Sequence, residues 1–170
     1  GHRIIRPLPA LTALKSSAPF LKKVSGVRNQ AAITLEINGN AVRHEIGELQ
    51  WTDYGISGVA IFQLSRFAIT ALEENKKVSL SFDFMPELSS EEKGNLFLSL
   101  AQNNKKKSML SFLKGLFPAK LCPIILREAK VEEGQTTGRM KKQDWENLVK
   151  AVAHFSLRIN GYASYEKAQV

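Results

Sequence analysis

The fold is decided by residues 31–51, which read AAITLEINGNAVRHEIGELQW. From Ala31 to Ile37 apolar and polar side chains alternate, which is the periodicity of a β-strand with one buried face. Asn38-Gly39 follows, and this pair tolerates the positive φ angles that a two-residue hairpin turn requires. The sequence therefore predicts a β-hairpin whose return strand runs over residues 41–51.

The patterns on either side of this hairpin predict further strands and one buried helix. Residues 77–84 alternate again, and Pro86 ends that strand. The stretch Val59–Glu74 is apolar on nearly every side, which is typical of a buried helix, and Ser57 is its expected N-cap. The candidate strands are about 2–13, 27–38, 41–52, 77–85, 155–161 and 165–170.

Residues 87–154 have a helical pattern instead. Ser89 and Glu92 form a capping-box signature, and helices are also expected at about 108–116, around Pro118 and Pro123, and over 141–154. The sequence thus predicts an α+β protein. A small six-stranded antiparallel β-barrel would be formed by residues 1–86 and 155–170, with a helical bundle, residues 87–154, inserted between two of its strands.

The composition excludes several classes of protein. The 170 residues are 44% hydrophobic and 24% charged, with one Cys and three His, which rules out disorder and a disulfide framework and argues against structural zinc. Every long apolar stretch is interrupted by polar residues, and no secretory signal pattern opens the chain. We therefore expect no membrane partner and a cytoplasmic location.

The net charge of +8 raises the question of a nucleic-acid partner. Residues 87–154 and the remainder of the chain each contain 12 basic and 8 acidic residues, so the excess is evenly divided. Lys105-Lys106-Lys107 is the single basic triple, and such a run is usually a solvated loop. No strand interleaves aromatic residues with Lys or Arg. The even division predicts no nucleic-acid partner.

The sequence also argues against most kinds of catalytic or cofactor-binding site. The sequence has no GxGxxG or GxxxxGK[ST] motif and hence no phosphate cradle of its own. His2, His44 and His154 show no metal-ligand spacing, and Cys122 lies in an apolar stretch where a buried, inert thiol is expected. We predict no catalytic residue and no metal ligand within this chain.

The most unusual segment is residues 47–58. A strand ends at Thr52, Asp53 and Tyr54, and two glycines, Gly55 and Gly58, then bracket Ser57 at the start of the buried helix. Exposed amides at a helix N-terminus attract an anion or an electron-rich oxygen, and glycine lets a ligand approach the backbone. The alternative is an ordinary tight turn with a serine N-cap.

A resemblance to a known family enters at this segment. Residues 47–66 read GELQWTDYGISGVAIFQLSR and resemble the motif G-E-L-x-F-T-[HD]-x-G-[LI]-S-G-x-A-[IV]-[LF]-x-[LI]-S-R of bacterial NAD(P)/FAD-dependent oxidoreductases. That flavoprotein family includes aminoacetone oxidase and the bile-acid-inducible flavin reductases. Further matches in the same order are Gly1-His2 through Leu11, Asp83–Pro86, Trp145-Glu146 and Ala168–Val170.

The resemblance implies that a longer parent protein surrounds this chain. In that family a Rossmann-type FAD domain is split by a long insertion, and this chain looks like the insertion alone. FAD would be bound by the parent, whereas this fragment by itself would hold no cofactor and be inert. The insertion would cover the flavin and shape the cleft for a small-molecule substrate, with the parent's own FAD domain as its partner. Residues implied to face flavin or substrate are Thr52, Asp53, Tyr54, Gly55, Ser57, Gly58 and His2.

Two departures and two alternatives accompany this interpretation. Many family members have Thr-His where this chain has Thr52-Asp53, and Gly-Pro where it has Gly58-Val59. These departures weaken the case for a histidine acid or base here and for the substrate of those members. The alternative function is a stand-alone basic β-barrel module that binds RNA or an acidic partner. A further alternative is a structural or oligomerisation role for the helical block.

Overall fold

The computed structural model describes residues 7–164, and the predicted α+β class is confirmed. Within those residues the seven strands are β1 Leu14–Lys15, β2 Arg28–Ile37, β3 Asn40–Trp51, β4 Gly55–Ser57, β5 Val78–Asp83, β6 Phe155–Ile159 and β7 Gly161–Tyr162. The six α-helices are α1 Leu21–Val24, α2 Val59–Glu73, α3 Ser90–Gln102, α4 Met109–Lys114, α5 Cys122–Ala129 and α6 Lys142–Ala153, with a short 3-10 helix at Thr137–Arg139.

The strands form one antiparallel sheet in the order β6-β5-β2-β3-β4-β1-β7. Its two end strands, β6 and β7, are consecutive in the chain and only Asn160 separates them. The sheet therefore curls until both ends meet at Asn160, whose backbone N–H donates to the carbonyl of Lys15 at 3.0 Å. Among residues 7–164, however, no ladder pairs β6 with β7. The predicted six-stranded closed barrel is corrected to a curled seven-stranded sheet whose order remains open.

The β2–β3 hairpin is confirmed. Asn38 and Gly39 have φ angles of 52° and 81°, which are the values a two-residue hairpin turn needs to match the twist of its strands. β2 and β3 pair along ten positions, with a register shift after Leu35. The predicted alternation holds, because Ile33 and Leu35 are fully buried while Thr34 between them is half-buried.

The expected first and last strands turned out differently. No strand lies in residues 7–13; the chain pairs only at β1, after Pro7 and Pro9, each of which lacks a backbone donor. The remainder of the expected strands 2–13 and 165–170 falls outside the described residues. The sheet gains β4 and β7 instead, and strands of three and two residues are too short to show a periodicity in sequence.

The core of the curled sheet is an aromatic cluster around Trp51. This side chain is fully buried, its ring centroid is 5.5 Å from that of Phe82 and 6.2 Å from that of Phe155, and its Nε1–H donates to Asn29 Oδ1 at 2.9 Å. Phe84 extends the cluster to Phe117 in the helical region. One continuous core thus joins the sheet to the helices.

The helical region between β5 and β6 begins at the predicted cap. Ser89 Oγ accepts from the Glu92 N–H, and the Glu92 carboxylate accepts from the Ser89 N–H, so the capping box is confirmed. This hydrogen bond from the Ser89 backbone holds the pKa of Glu92 below its usual value. Ser108 caps α4 through its side chain alone, with Oγ accepting from the Ser111 N–H at 3.2 Å. The division into a sheet subdomain and a separate helical subdomain stays a prediction.

An ion pair between a buried lysine and a partly exposed aspartate fastens α3 to the end of β5. Lys93 is 1% exposed, and its ammonium lies 2.8 Å from Asp83 Oδ2 and 2.7 Å from the Leu88 carbonyl oxygen. The second carboxylate oxygen of Asp83 accepts from the Met85 N–H at 2.9 Å. Asp83 therefore holds the turn before the helical region and neutralises the lysine that enters from it.

Among residues 7–164, none of the helices has the length and apolar character needed to cross a membrane.

Replacing Asp83 with Ala should lower the free energy of unfolding by about 3–5 kcal/mol, because the Lys93 ammonium would stay buried without its counter-charge. The exposed Lys142–Glu146 pair, whose charged atoms are 4.0 Å apart, provides the control. Glu146→Ala should change stability by less than about 1 kcal/mol. Urea denaturation followed by circular dichroism measures both, and equal midpoints for the two variants would contradict the role assigned to Asp83.

Candidate functional site

The turn after β3 is built from Thr52, Asp53 and Tyr54. It is closed by a hydrogen bond from Thr52 N–H to the Gly55 carbonyl at 3.0 Å, and the Tyr54 carbonyl accepts from Ser16 N–H at 3.0 Å. Asp53 and Tyr54 are exposed, whereas Thr52 is half-buried. Because buried Trp51 directly precedes it, the turn emerges at a fixed position on the surface of the sheet.

The two glycines of the segment are required by packing within the chain. A Cβ atom on Gly55 would collide with the carbonyl of Leu14 in β1. Gly58 has a φ of 119°, and a Cβ there would collide with the carbonyl of Glu48 in β3, so no other residue fits. Both glycines thus let neighbouring strands approach closely, whereas the sequence suggested that they make room for a ligand.

The prediction that Ser57 is the N-cap of α2 is wrong. Ser57 is the last residue of β4, and Gly58 occupies the N-cap position without a side-chain hydrogen bond. The Gly58 carbonyl accepts the first helical bond, from Phe62 N–H, and the amides before Phe62 receive no capping side chain. Val59, the first residue of the helix, is 70% exposed. The positive end of a 15-residue helix is therefore uncapped at the protein surface.

The structure divides the predicted site residues into two groups at opposite ends of β4. Thr52, Asp53 and Tyr54 lie before the strand, Gly55 and Ser57 are its first and last residues, and Gly58 follows it. The short strand keeps both groups at one corner of the sheet. His2 lies outside the described residues.

Both ends of the described chain reach this same corner. Leu14 pairs with Ile56 on one side and with Tyr162 on the other, and the Ala163 N–H donates to the Ala13 carbonyl at 2.9 Å. The segments before β1 and after β7 thus run side by side next to β4. Near them, Lys15, Tyr54, Ala163 and Ser164 line a shallow depression of about 280 Å³.

Unsatisfied and apolar groups accumulate here as well. The hydroxyl oxygens of Thr12 and Thr52 are buried without a hydrogen-bond partner in the described structure, although buried polar groups are normally paired. Leu11, Tyr54 and Val59 are 40%, 36% and 70% exposed, respectively. Sequence reasoning did not name Thr12 or Lys15 as site residues, because contacts between residues distant in sequence bring them here and no motif marks them.

The histidines and the cysteine of the described residues have the following surroundings. His44 is exposed on β3, where its Nδ1 is 3.3 Å from Thr34 Oγ1, and His154 is exposed at the end of α6. Among residues 7–164, no group of three or more His, Cys, Asp or Glu could hold a metal ion. Cys122 is buried, and this burial raises the pKa of its thiol to about 11.

These features define an α+β domain in which a curled antiparallel sheet carries a helical block between two strands and both described ends leave side by side. A family model described as the HI0933-like protein barrel and H2TH domain matches residues 8–170. The chain belongs to this family.

A curated relative is consistent with the same assignment. The chain is 31% identical over 170 residues to a protein of Clostridium scindens named 3-dehydro-bile acid delta(4,6)-reductase. The alignment covers all of this chain and 42% of the relative, so the chain spans less than half of the relative's length. Together the two comparisons confirm the oxidoreductase family inferred from residues 47–66.

Replacing Gly55 with Ala should lower the free energy of unfolding by about 3 kcal/mol, because the added methyl group forces β1 and β4 apart. Gly134→Ala is the matched control, since nothing lies within 4 Å of a Cβ at that position. Thermal unfolding of both variants tests this. An unchanged transition for Gly55→Ala would show that β1 does not approach β4 as described.

Cys122 should react with 5,5′-dithiobis(2-nitrobenzoic acid) at pH 8 far more slowly than a free thiol. At that pH its thiolate fraction is about one in a thousand, given a pKa of about 11, and burial blocks access. The same reaction in 6 M guanidinium should be rapid. A fast reaction of the folded protein would contradict the buried environment of Cys122.

Proposed function

We propose that this domain is the inserted cap region of an FAD-dependent oxidoreductase, and that it covers the flavin and shapes the substrate cleft. The observation that carries the proposal is the meeting of both described chain ends beside the Gly55–Val59 segment. A domain inserted into another must leave from and return to its host at nearly one place. The surface next to those two points is then the surface that faces the host.

The character of this surface supports the proposal. Exposed Leu11 and Val59 would lose water contact on docking. The uncapped amides at the start of α2 point to a group that accepts hydrogen bonds, such as a carbonyl oxygen of the flavin ring or of the substrate. Family membership and the reductase name of the relative agree with this assignment.

The residues of the chain are suited to contact a flavin ring but not to bind the whole cofactor. Tyr54 and Val59 offer apolar surface, and the α2 amides offer donors, but the sequence contains no glycine-rich cradle for a pyrophosphate. The dinucleotide would therefore be held by the remainder of the parent. Bound there, the flavin would supply hydride transfer; this domain would orient the substrate and exclude water.

The substrate is proposed to be a small molecule bound between this surface and the host domain. The depression next to Tyr54 and Lys15 would form one wall of that cleft. Asp53 is exposed in the turn and places a carboxylate where many family members have histidine. The substrate is thus expected to differ in its polar contacts from those of the histidine-containing members.

The experiment compares Val59→Glu with Val42→Glu in the longer protein that contains this chain. Both valines are exposed, at 70% and 42%, but only Val59 lies on the proposed interface. A carboxylate at Val59 would be desolvated there, so flavin retention or substrate affinity should fall at least about tenfold, a difference of about 1.4 kcal/mol. Val42→Glu should match the unmodified protein.

Flavin absorbance of the purified proteins and steady-state kinetics provide the measurements. Equal flavin content and equal KM in both variants would overturn the placement of the flavin or substrate next to Val59. The 170-residue chain alone should bind no FAD in equilibrium dialysis. Retention of FAD by the chain alone would overturn the proposal that the host domain binds the cofactor.

A further inference from the structure

The structure brings two basic segments of the helical region together. Residues 102–107 run from the last residue of α3 towards α4, and residues 134–143 end with the first two residues of α6. The Gly138 N–H donates to the Lys105 carbonyl at 3.0 Å, and the Thr137 N–H donates to the Lys107 carbonyl at 2.9 Å. A Cβ on Gly138 would lie 2.9 Å from the Lys105 carbonyl oxygen, so the two backbones are in close contact.

A side-chain bond and a strand-like pair fix this contact further. Thr137 is 4% exposed, and its hydroxyl donates to the Asn104 carbonyl at 2.6 Å. Ser108 pairs with Thr136 in an isolated antiparallel bridge. The basic triple that looked like a free loop in the sequence is therefore held in a defined conformation.

The joined segments concentrate the positive charge of the helical region. They contain six basic residues and no Asp or Glu, whereas the rest of residues 87–154 contains six basic and eight acidic residues. We call these six residues the basic surface: Lys105, Lys106, Lys107, Arg139, Lys141 and Lys142. All six are exposed. The even charge division found along the sequence thus conceals a local excess of +6 beside a region of −2.

Carboxylates border the basic surface, but few of them form ion pairs with its cations. Within residues 7–164, only Lys142 of the six forms an ion pair, at 4.0 Å to the exposed Glu146. Asp144 accepts hydrogen bonds from the Lys141 backbone and from Gln135. Glu133 lies opposite Leu110, where its carbonyl accepts from the Leu110 N–H.

The chemistry of the surface favours a phosphodiester backbone over a protein partner. Protein interfaces are depleted in Lys and depend on aromatic or other large anchors. The groove beside the triple has none of these: it is lined by Gln102, Asn103, Asn104 and the three lysines. Amide and ammonium donors without an aromatic platform suit phosphate contacts, not base stacking.

We propose that the basic surface binds the phosphate backbone of a nucleic-acid duplex without sequence preference. The proposal is independent of the cap function, because the surface lies on the helical region and not at the corner formed by β1, β4 and β7. It replaces the expectation of no nucleic-acid partner, which counted charges along the chain and not in space.

The test measures binding of a fluorescein-labelled mixed-sequence DNA duplex to the chain by fluorescence anisotropy over a range of salt concentrations. We expect a Kd of about 10⁻⁴–10⁻⁶ M near physiological salt and a linear fall of log K with log salt. The variant Lys105→Ser/Lys106→Ser/Lys107→Ser should bind at least about tenfold more weakly. Its salt slope should be smaller by about one for each phosphate that the variant no longer neutralises.

The matched control is Lys22→Ser/Lys23→Ser/Lys120→Ser, which removes the same charge from exposed lysines elsewhere. It should retain most of the affinity and the original salt slope. Arg139→Ser/Lys141→Ser/Lys142→Ser tests the second segment and serves in place of the first variant if that one fails to fold.

Three results would overturn the proposal. They are an absence of salt-dependent duplex binding, equal weakening by the control and the loop variants, and binding only to vesicles that contain phosphatidylserine. The last would assign the surface to a membrane and not to nucleic acid.

Discussion

The burial of Trp51 is the constraint on which the rest of this structure depends. Its ring contacts Phe20, Phe82 and Phe155, so one side chain connects β3 to the segment before α1, to β5 and to β6. Large aromatic side chains dominate the energetics of small cores because each buries so much apolar area. Since Trp51 is also the last residue of β3, the core fixes the point at which the following turn leaves the sheet.

The candidate site is a consequence of close strand packing around that turn. Gly55 and Gly58 are needed because β1 and β3 approach them too closely for a side chain. This approach places both described ends of the chain, the turn and the start of α2 at one corner. The glycines of the family motif therefore also let the sheet curl. The proposed site consists of the residues that this packing leaves exposed at the surface.

Charge shows the same dependence on three-dimensional arrangement. Lys105 and Gly138 are 33 residues apart in the sequence, yet their backbones are hydrogen-bonded. Electrostatic potential at a surface depends on distance in space and is screened within about 8–10 Å in physiological salt. Counting charges by segments could not detect a basic surface that two separate loops form together. Conversely, the single buried lysine among residues 7–164, Lys93, is neutralised by Asp83 and contributes little to that potential.

The sequence by itself determined the elements whose signals are local. The alternation over Ala31–Ile37, the Asn38-Gly39 turn, the α2 helix and the Ser89 cap depend on neighbouring residues, so their patterns could be read directly, and residues 47–66 sufficed to indicate the family. Only the tertiary structure decided the open seven-strand order, the strand assignment of Ser57, the convergence of Thr12 and Lys15 on the site, and the basic surface. Each of these depends on contacts between residues distant in sequence, and no periodicity or motif encodes which distant backbones meet.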